Sequence, residues 1–498
     1  MKEFPYAKPV IYGADDHQNE PSMHVLLIST YELGRQPVHI ASPAAAVVAA
    51  GHDVRAIDLS VQPWDPSHVE WADVIGISTP MHTATRLAVD VVTQIRSHRP
   101  DIPIASYGLY AGMAADEAGA MPFDRAIVGE YEAALVEWIG AVASETRISV
   151  HLDRGGFHAP ERSILPSLNK YAKLMVNGDA LPVGAVEASH GCAHMCRHCP
   201  LPAVYDGRFR IVDADVVLAD IDQLVASGAR HITFGDPDFL NGPAHSLRII
   251  RGMHRRHPDL TFDCTVKVEH ILKHRDVWEE FAAAGCLFVV SAFESMNDVV
   301  LEMLDKGHTS SDAAEAVHIM RDAGIDIRPS WLPFTPWSTR ADIDEMFRFI
   351  SAHDLVASTD PVQMGIRLLI PRGSLVLAID GIDEYLGPYD AMQLSYSWSS
   401  KEHELDDLAA DLMAIAEDAS ESGAGVEETF LAQWLAVTEG TGLSAPPDAI
   451  PQGATEGRPM LTESWFCWAG PTAVQFGSLD DEELKAGGTF WCPATVSP

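Results

Sequence analysis

Three of the chain's seven cysteines fall within eight residues, in Gly191-Cys192-Ala193-His194-Met195-Cys196-Arg197-His198-Cys199-Pro200. No other stretch constrains the fold as strongly. A Cys-x3-Cys-x2-Cys loop that directly follows a strand-like run (183–188, then Ser189-His190-Gly191) has to gather its thiols at the end of a sheet. Three thiolates from one loop can each hold one iron of a cubic four-iron cluster, which leaves the fourth iron without a protein ligand. Such an iron can chelate a small molecule and hand it an electron, whereas a four-cysteine site is closed. The alternative is a zinc knuckle that adds His194 or His198, because zinc accepts nitrogen and sulfur together.

The remaining cysteines, Cys264, Cys286, Cys467 and Cys492, are scattered rather than set as a disulfide framework. At 498 residues and 47% hydrophobic, the chain can bury large cores and is expected to hold two to four domains. A formal charge of −37 argues against a nucleic-acid or anionic-membrane binder, since phosphate contacts need clustered Lys and Arg. No basic-plus-apolar signal segment opens the chain and no apolar run approaches a membrane span, so a cytoplasmic location is expected.

After a polar lead over 1–22, short apolar strands (24–29, 53–57, 73–78, 104–108, 125–129) alternate with amphipathic helices (42–51, 83–99, 132–142) through residues 23–145. Alternation at this length predicts an α/β domain, a parallel sheet covered on both faces that binds ligands at the carboxyl ends of its strands. The loops there contain Gly34 and Arg35, Ser78 and Thr79, Gly108 and Tyr110, and Gly129 and Glu130, with small residues that let a flat ligand approach the backbone. Residues 146–180, with Gly155-Gly156, Pro160 and Pro166, read as a linker over the surface. Alternation resumes over 181–375 in six units, with strands at 183–189, 231–235, 260–267, 287–293, 325–334 and 362–370. Six units predict an open, partial TIM-type (β/α)6 barrel with its chemistry at the strand ends. Residues 376–498 read as a helical C-terminal domain (405–421, 426–439) and a tail, able to close the barrel mouth.

The cysteine spacing and the roughly 170 residues after it resemble the radical S-adenosylmethionine (SAM) superfamily. The resemblance implies a 4Fe-4S cluster on Cys192, Cys196 and Cys199, whose open iron holds the methionine moiety of SAM. It matches Gly235 and Asp236 to the family's Gly-Gly-Glu-like turn, which contacts the SAM amino group. Lys267 and Glu269 are expected to meet the carboxylate or ribose, and Glu294-Ser295 with Lys306-Gly307-His308-Thr309 to border the nucleoside. Arg367, an arginine inside a core strand, either pairs a buried acid or holds a cofactor anion.

Residues 23–145 resemble the Rossmann-like cobalamin-binding domain of class B radical SAM enzymes, although the cobalt-ligating Asp-x-His-x-x-Gly motif is absent. The alternative is a domain that keeps the fold without the cofactor. The tail, Thr462-Glu463-Ser464-Trp465-Phe466-Cys467-Trp468-Ala469-Gly470-Pro471, resembles in part the Cys-Cys-Ala-Glu-Pro tails of another radical group, with Trp468 and Gly470 in place of the second thiol and the glutamate. Cys467 is thus a candidate to bind a soft element or donate a hydrogen atom, or else a packing residue.

Together these resemblances imply a methyltransferase acting on a small-molecule substrate of specialised metabolism, fed by an electron donor such as flavodoxin or ferredoxin. The family's logic is reductive cleavage of SAM to a deoxyadenosyl radical, hydrogen abstraction from an unactivated carbon and methyl delivery from cobalamin. Three alternatives stay open: aminocarboxypropyl transfer to a soft acceptor such as arsenic, a cobalamin-assisted rearrangement, and a non-catalytic metal-binding interaction protein.

Overall fold

The computed structural model describes residues 22–113, 122–141, 147–450 and 458–463. The 1–21 lead and the tail from 464, with Cys467 and Cys492, lie outside the described residues. Six strands, β1 (His24–Ser29), β2 (Asp53–Asp58), β3 (Val74–Ser78), β4 (Ile104–Tyr107), β5 (Arg125–Gly129) and β6 (Ile148–His151), form a parallel sheet in the order β2-β1-β3-β4-β5-β6. Period-two alternation explains its two covered faces. Leu26 and Ile28 pack with Val91, Val92 and Ile95 of helix His82–His98, whereas Val25 and Leu27 pack with Ile40 and Val47 of helix Val38–Ala49 and with Leu135 and Trp138 of helix Glu132–Gly140. Each such side chain, fully buried, stabilises the fold by about 1.5–3 kcal/mol. Strand order reverses between β1 and β3, which puts the ligand crevice of such a sheet at the loops that follow them.

Pro43 lies inside helix Val38–Ala49 and cannot donate to the carbonyl of His39. The buried Tyr107 hydroxyl, at the end of β4, donates to that carbonyl at 2.8 Å and so satisfies the group.

The second sheet is built by β7 (Lys173–Val176) and β8 (Asp179–Val186), an antiparallel hairpin; β9 (Ser189–Gly191) and β10 (Phe209–Ile211) then form a small pair around the cysteine loop. With β11 (His231–Phe234), β12 (Thr261–Thr265), β13 (Cys286–Glu294) and β14 (Asp326–Trp331), the order is β14-β13-β12-β11-β8-β7, with β8 and β11–β14 parallel. The result is a partially closed, half-barrel sheet. Its helices start on real caps: Thr309 with Asp312 and Thr339 with Asp342 form capping boxes for Ser310–Asp322 and Arg340–Ala352.

The sixth strand expected at 362–370 does not form. Asp360 accepts from Val362 N and starts a 3-10 turn, Pro361–Gly365, and the Gln363 side chain takes the Trp331 N–H that a neighbouring strand's carbonyl would accept. What survives is one parallel bridge, Phe334 to Arg367. The stretch read as a surface linker supplies β6 to one sheet and β7 to the other. In it, Arg162 is buried and forms a two-pronged bond to Asp220 at 2.8 and 2.7 Å.

Helices Glu404–Ser422 and Val426–Thr438 pack against the last unit. Trp434 Nε1 donates to Asp344 of helix Arg340–Ala352, and Gln433 to Pro361 O. A hairpin, β15 (Leu386–Asp390) and β16 (Ser395–Trp398), instead touches the first half, where His82 Nε2 meets Gln393 O at 2.6 Å. Finally β17 (Met460–Leu461) pairs with β7 at the sheet edge. Among the described residues no helix is long and apolar enough to cross a membrane.

Candidate active site

The cysteine loop leaves β9 at Gly191, whose φ of +76° and whose missing side chain admit Tyr205; a Cβ there would lie 2.6 Å from the Tyr205 ring. Cys192 and Cys196 are buried and Cys199 is half-buried. Burial raises the thiols of Cys192 and Cys199, and for Cys199 the neighbouring sulfurs of Cys196 and Cys192 add to it. A cation at the loop would reverse both effects.

Strand ends hold the loop from several sides. Asp236, after β11, accepts from Ala188 N (2.9 Å) and the Ser189 hydroxyl (2.6 Å), and burial pushes its carboxyl up to about 7. The carboxylate expected to meet an ammonium is therefore engaged with the chain that leads into the loop. Asn241 Oδ1 accepts from Ala193 N, and Arg197 N donates to Leu304 O. At the end of β13, Glu294 accepts from His198 Nε2 at 3.0 Å and from Lys306 Nζ at 3.1 Å. Burial would raise Glu294, but Lys306 and then His198 outweigh it and hold the carboxyl at about 2. Burial keeps His198 below its ordinary value, against the pull of Glu294. Glu294 also sits at φ +63°, a strained conformation for a residue other than glycine. The histidines considered for zinc thus face other partners, His198 toward Glu294 and His194 toward Asp238 and Glu269.

The other expected residues divide. Gly235 follows β11, and a Cβ on it would stand 3.3 Å from Glu187. Lys267 is buried with its Nζ 3.6 Å from Glu269, and Ser295 accepts from Asn297 N. Of the two roles left open for Arg367, the structure shows a pair with an acid: it meets Asp406 at 2.6 Å, donates to Trp398 O and lies 4.0 Å over the Trp398 ring. On the first sheet, the space beside each loop glycine is filled by protein. A Cβ at Gly108 (φ +115°) would stand 3.1 Å from Thr79 O, at Gly129 2.2 Å from His151 O, and at Gly34 2.7 Å from Glu463. Ser78 is buried at the end of β3, Thr79 donates to Tyr107 O, and Tyr110 N donates to Thr79 O. Gly34 and Arg35 line a small cleft, with room for about one water, shared with Val183 and Thr233 of the second sheet and with Leu461 and Glu463.

Sequence reading missed the chain of charges between the halves. Glu32 lies 3.1 Å from His39, His39 3.5 Å from Glu187, Glu187 3.3 Å from His190, and His190 2.8 Å from Glu130, which accepts from Tyr205 at 2.9 Å. Burial would lower His39, but Glu187 and Glu32 outweigh it and raise it to about 9; Glu130 and Glu187 likewise raise His190 well above its ordinary value. Burial would raise Glu187, yet His39 and His190 bring it down to about 2. Only the density of Glu and His just before the cysteines, Glu187-Ala188-Ser189-His190, signals this network in the sequence.

Residues 186–350 match the family model described as the radical SAM superfamily. The chain therefore carries a radical SAM domain, with its cysteine loop positioned to bind an iron–sulfur centre, an arrangement consistent with radical SAM catalysis. Among curated proteins it is 23% identical over 300 residues to bacteriochlorophyllide d C-8(2)-methyltransferase of Chlorobaculum tepidum (57% of this chain, 64% of that protein). It is 22% identical over 298 residues to hopanoid C-2 methylase of Rhodopseudomonas palustris (57% and 53%). The chain thus spans less than two thirds of the length of these relatives. Its fold is like that of OxsB, a cobalamin-dependent SAM radical enzyme solved with aqua-cobalamin (TM-score 0.64, 15% identity, 81% of this chain and 67% of that one). It is also like that of TsrM from Kitasatospora setae, a radical SAM methyltransferase solved with cobalamin and a 4Fe-4S cluster (TM-score 0.54, 18% identity, 67% and 71%).

Proposed function

We propose that the protein is a cobalamin-dependent radical SAM methyltransferase of specialised metabolism, with a Rossmann-like cobalamin domain set against a partial (β/α)6 barrel. The observation that carries this reading is that the two sheets meet strand end to strand end. Glu130, after β5, bonds His190, which stands two residues before Cys192. A ligand on the rim of the first sheet therefore faces the cysteine loop. The methyltransferase and methylase activities of the relatives above point the same way.

Cys192, Cys196 and Cys199 would hold the cluster, and the loops after the first sheet's strands, with Gly34 and Arg35 beside a small cleft, would border the cobalamin. When bound, the cluster supplies the electron that cleaves SAM, and cobalamin supplies a methyl carrier. The chain's own residues bind and exclude water. Lys267 offers a buried cation for the SAM carboxylate, Ser295 borders the nucleoside, and Asp236 with the backbone carbonyls near Gly235 would share the ammonium. Glu463 lies over Gly34 at this rim.

Aminocarboxypropyl transfer to a soft acceptor is the alternative reading; Cys467, its candidate thiol, lies outside the described residues. Anaerobic reconstitution with iron, sulfide and hydroxocobalamin, then SAM and a reductant, separates the two. Bound corrinoid with S-adenosylhomocysteine and deoxyadenosine as products is expected for methyl transfer. A cluster without corrinoid that yields methylthioadenosine would overturn it in favour of aminocarboxypropyl transfer.

A further inference from the structure

Outside the three thiols, a second set of donor atoms converges beside the cysteine loop. His194 Nε2, Asp238 Oδ2 and His270 Nδ1 lie within 4.8 Å of one another, with Asp238 2.7 Å from His270 and 3.5 Å from His194. Each residue comes from a different strand end: His194 from the loop after β9, Asp238 from the turn after β11, and His270 from helix Val268–Lys273 after β12. Asp238 is fully buried and the His270 side chain is 8% exposed. All three atoms are buried, Asp238 Oδ2 stands within ion-pair range of both imidazoles, and no well-aligned hydrogen bond uses any of the three.

The surroundings prepare these atoms as ligands. Asp238 Oδ1 accepts from Leu240 N, which fixes the carboxylate and leaves Oδ2 inward. Glu269 stands 3.6 Å from His194 Nδ1, so a proton on that nitrogen leaves Nε2 with its lone pair toward the trio. A carboxylate behind a histidine in this way is the usual outer partner of a metal-bound imidazole. Donor atoms bound to one zinc or ferrous ion at about 2.0–2.2 Å stand about 3 Å apart, between the two separations seen here.

We propose that His194, Asp238 and His270 bind one divalent first-row metal ion, zinc or ferrous iron, separate from the cluster. Two imidazoles and a carboxylate, with no sulfur, define the donor set. His194 lies midway between Cys192 and Cys196, so the ion ties the first half of the cysteine loop to the ends of β11 and β12. His198 and Glu294 do the same for the second half.

The test uses the full-length chain with Cys192, Cys196 and Cys199 all changed to Ala, so that its outcome does not depend on the cluster chemistry proposed above. Titration with Co2+ is expected to saturate at one ion per chain, with a ligand-field spectrum and no sulfur-to-cobalt charge-transfer band. Adding Asp238→Asn or His270→Ala is expected to weaken binding about tenfold or more. No stoichiometric uptake by a protein whose circular dichroism reports it folded, or uptake unchanged in both variants, overturns the proposal. Should the cysteine-free chain or a core variant not fold, the wild type reconstituted with iron and sulfide and then loaded with zinc carries the test, with His194→Ala, the most exposed ligand, as control. One zinc per chain beyond the cluster iron, lost in His194→Ala, is expected, and a zinc-free protein overturns the site.

Discussion

The rim of the second sheet is specified by side chains and the rim of the first by backbone. Around the cysteine loop, thiols, Asp236, Glu294 and Lys306 each have one chemical task, and no other residue type would perform it. Around β1, β3, β4 and β5, the loops are shaped by glycines at positive φ packed against Thr79 O, His151 O and Glu463. A ligand bonded to the protein at an atom needs a particular residue, whereas one held by shape needs a surface. The difference predicts that damage to one rim leaves the other intact.

The largest effect is expected from Cys196→Ala. Iron and sulfide in the reconstituted protein should fall to background and SAM cleavage with them, while hydroxocobalamin uptake stays at the wild-type level. Corrinoid lost together with the iron would break the comparison, because it would make the first rim depend on the second.

Next comes Glu294→Gln. It removes the partner of a buried lysine and is expected to cost about 3–5 kcal/mol of stability in chemical denaturation. Lys306→Met in the same chain removes the stranded charge and should recover a good part of that loss. If the double variant is no more stable than the single one, the Glu294–Lys306 pair does not act as the coupled unit described here.

The same contrast explains what was legible in the sequence. β1 and β5 fall where the apolar runs begin and end, and the cysteine loop reads directly from its spacing. The sixth strand misled because Ile366 to Ile370 is apolar enough for a strand, and nothing local shows that the Gln363 side chain will take the Trp331 N–H. Arg367 was ambiguous because its partner, Asp406, is 39 residues away on a helix whose docking only the tertiary structure fixes. His39 and Glu187 are farther apart still, and their ion pair exists only because the two sheets abut. Partners across such separations leave no short-range pattern.

That interface gives a pH test. His39 is raised from its ordinary 6.5 to about 9 in the fold, so its contribution is full below pH 6.5 and is lost as the pH climbs through about 9. The gap corresponds to about 3 kcal/mol. Glu187, held near 2, acts in the opposite direction: its contribution is present above its ordinary 4.5 and is lost as the pH falls through 2. His39→Gln is therefore expected to be less stable than wild type at pH 6 and to converge with it above pH 9, as read from denaturation midpoints. Parallel curves across that range would show that the imidazolium does not join the two halves.

The smallest effect expected is that of Gly108→Ala, and it probes the backbone-made rim most directly. A methyl group there meets Thr79 O at 3.1 Å and forces alanine into a φ of +115°, a conformation that costs about 1–3 kcal/mol. Part of that strain can be relieved only by moving the Thr79-Pro80 turn after β3, at the reversal of strand order where a ligand on this sheet is expected. Corrinoid affinity should therefore fall several-fold in equilibrium titration while the iron content stays unchanged, because Gly108 makes no contact with the cysteine loop in its own surroundings of Thr79 and Pro80. Unchanged corrinoid affinity in a folded, strained variant would mean that the rim around β3 and β4 does not shape the site, and would leave the loop after β1, with Gly34 and Arg35, as the place where the first sheet meets its ligand.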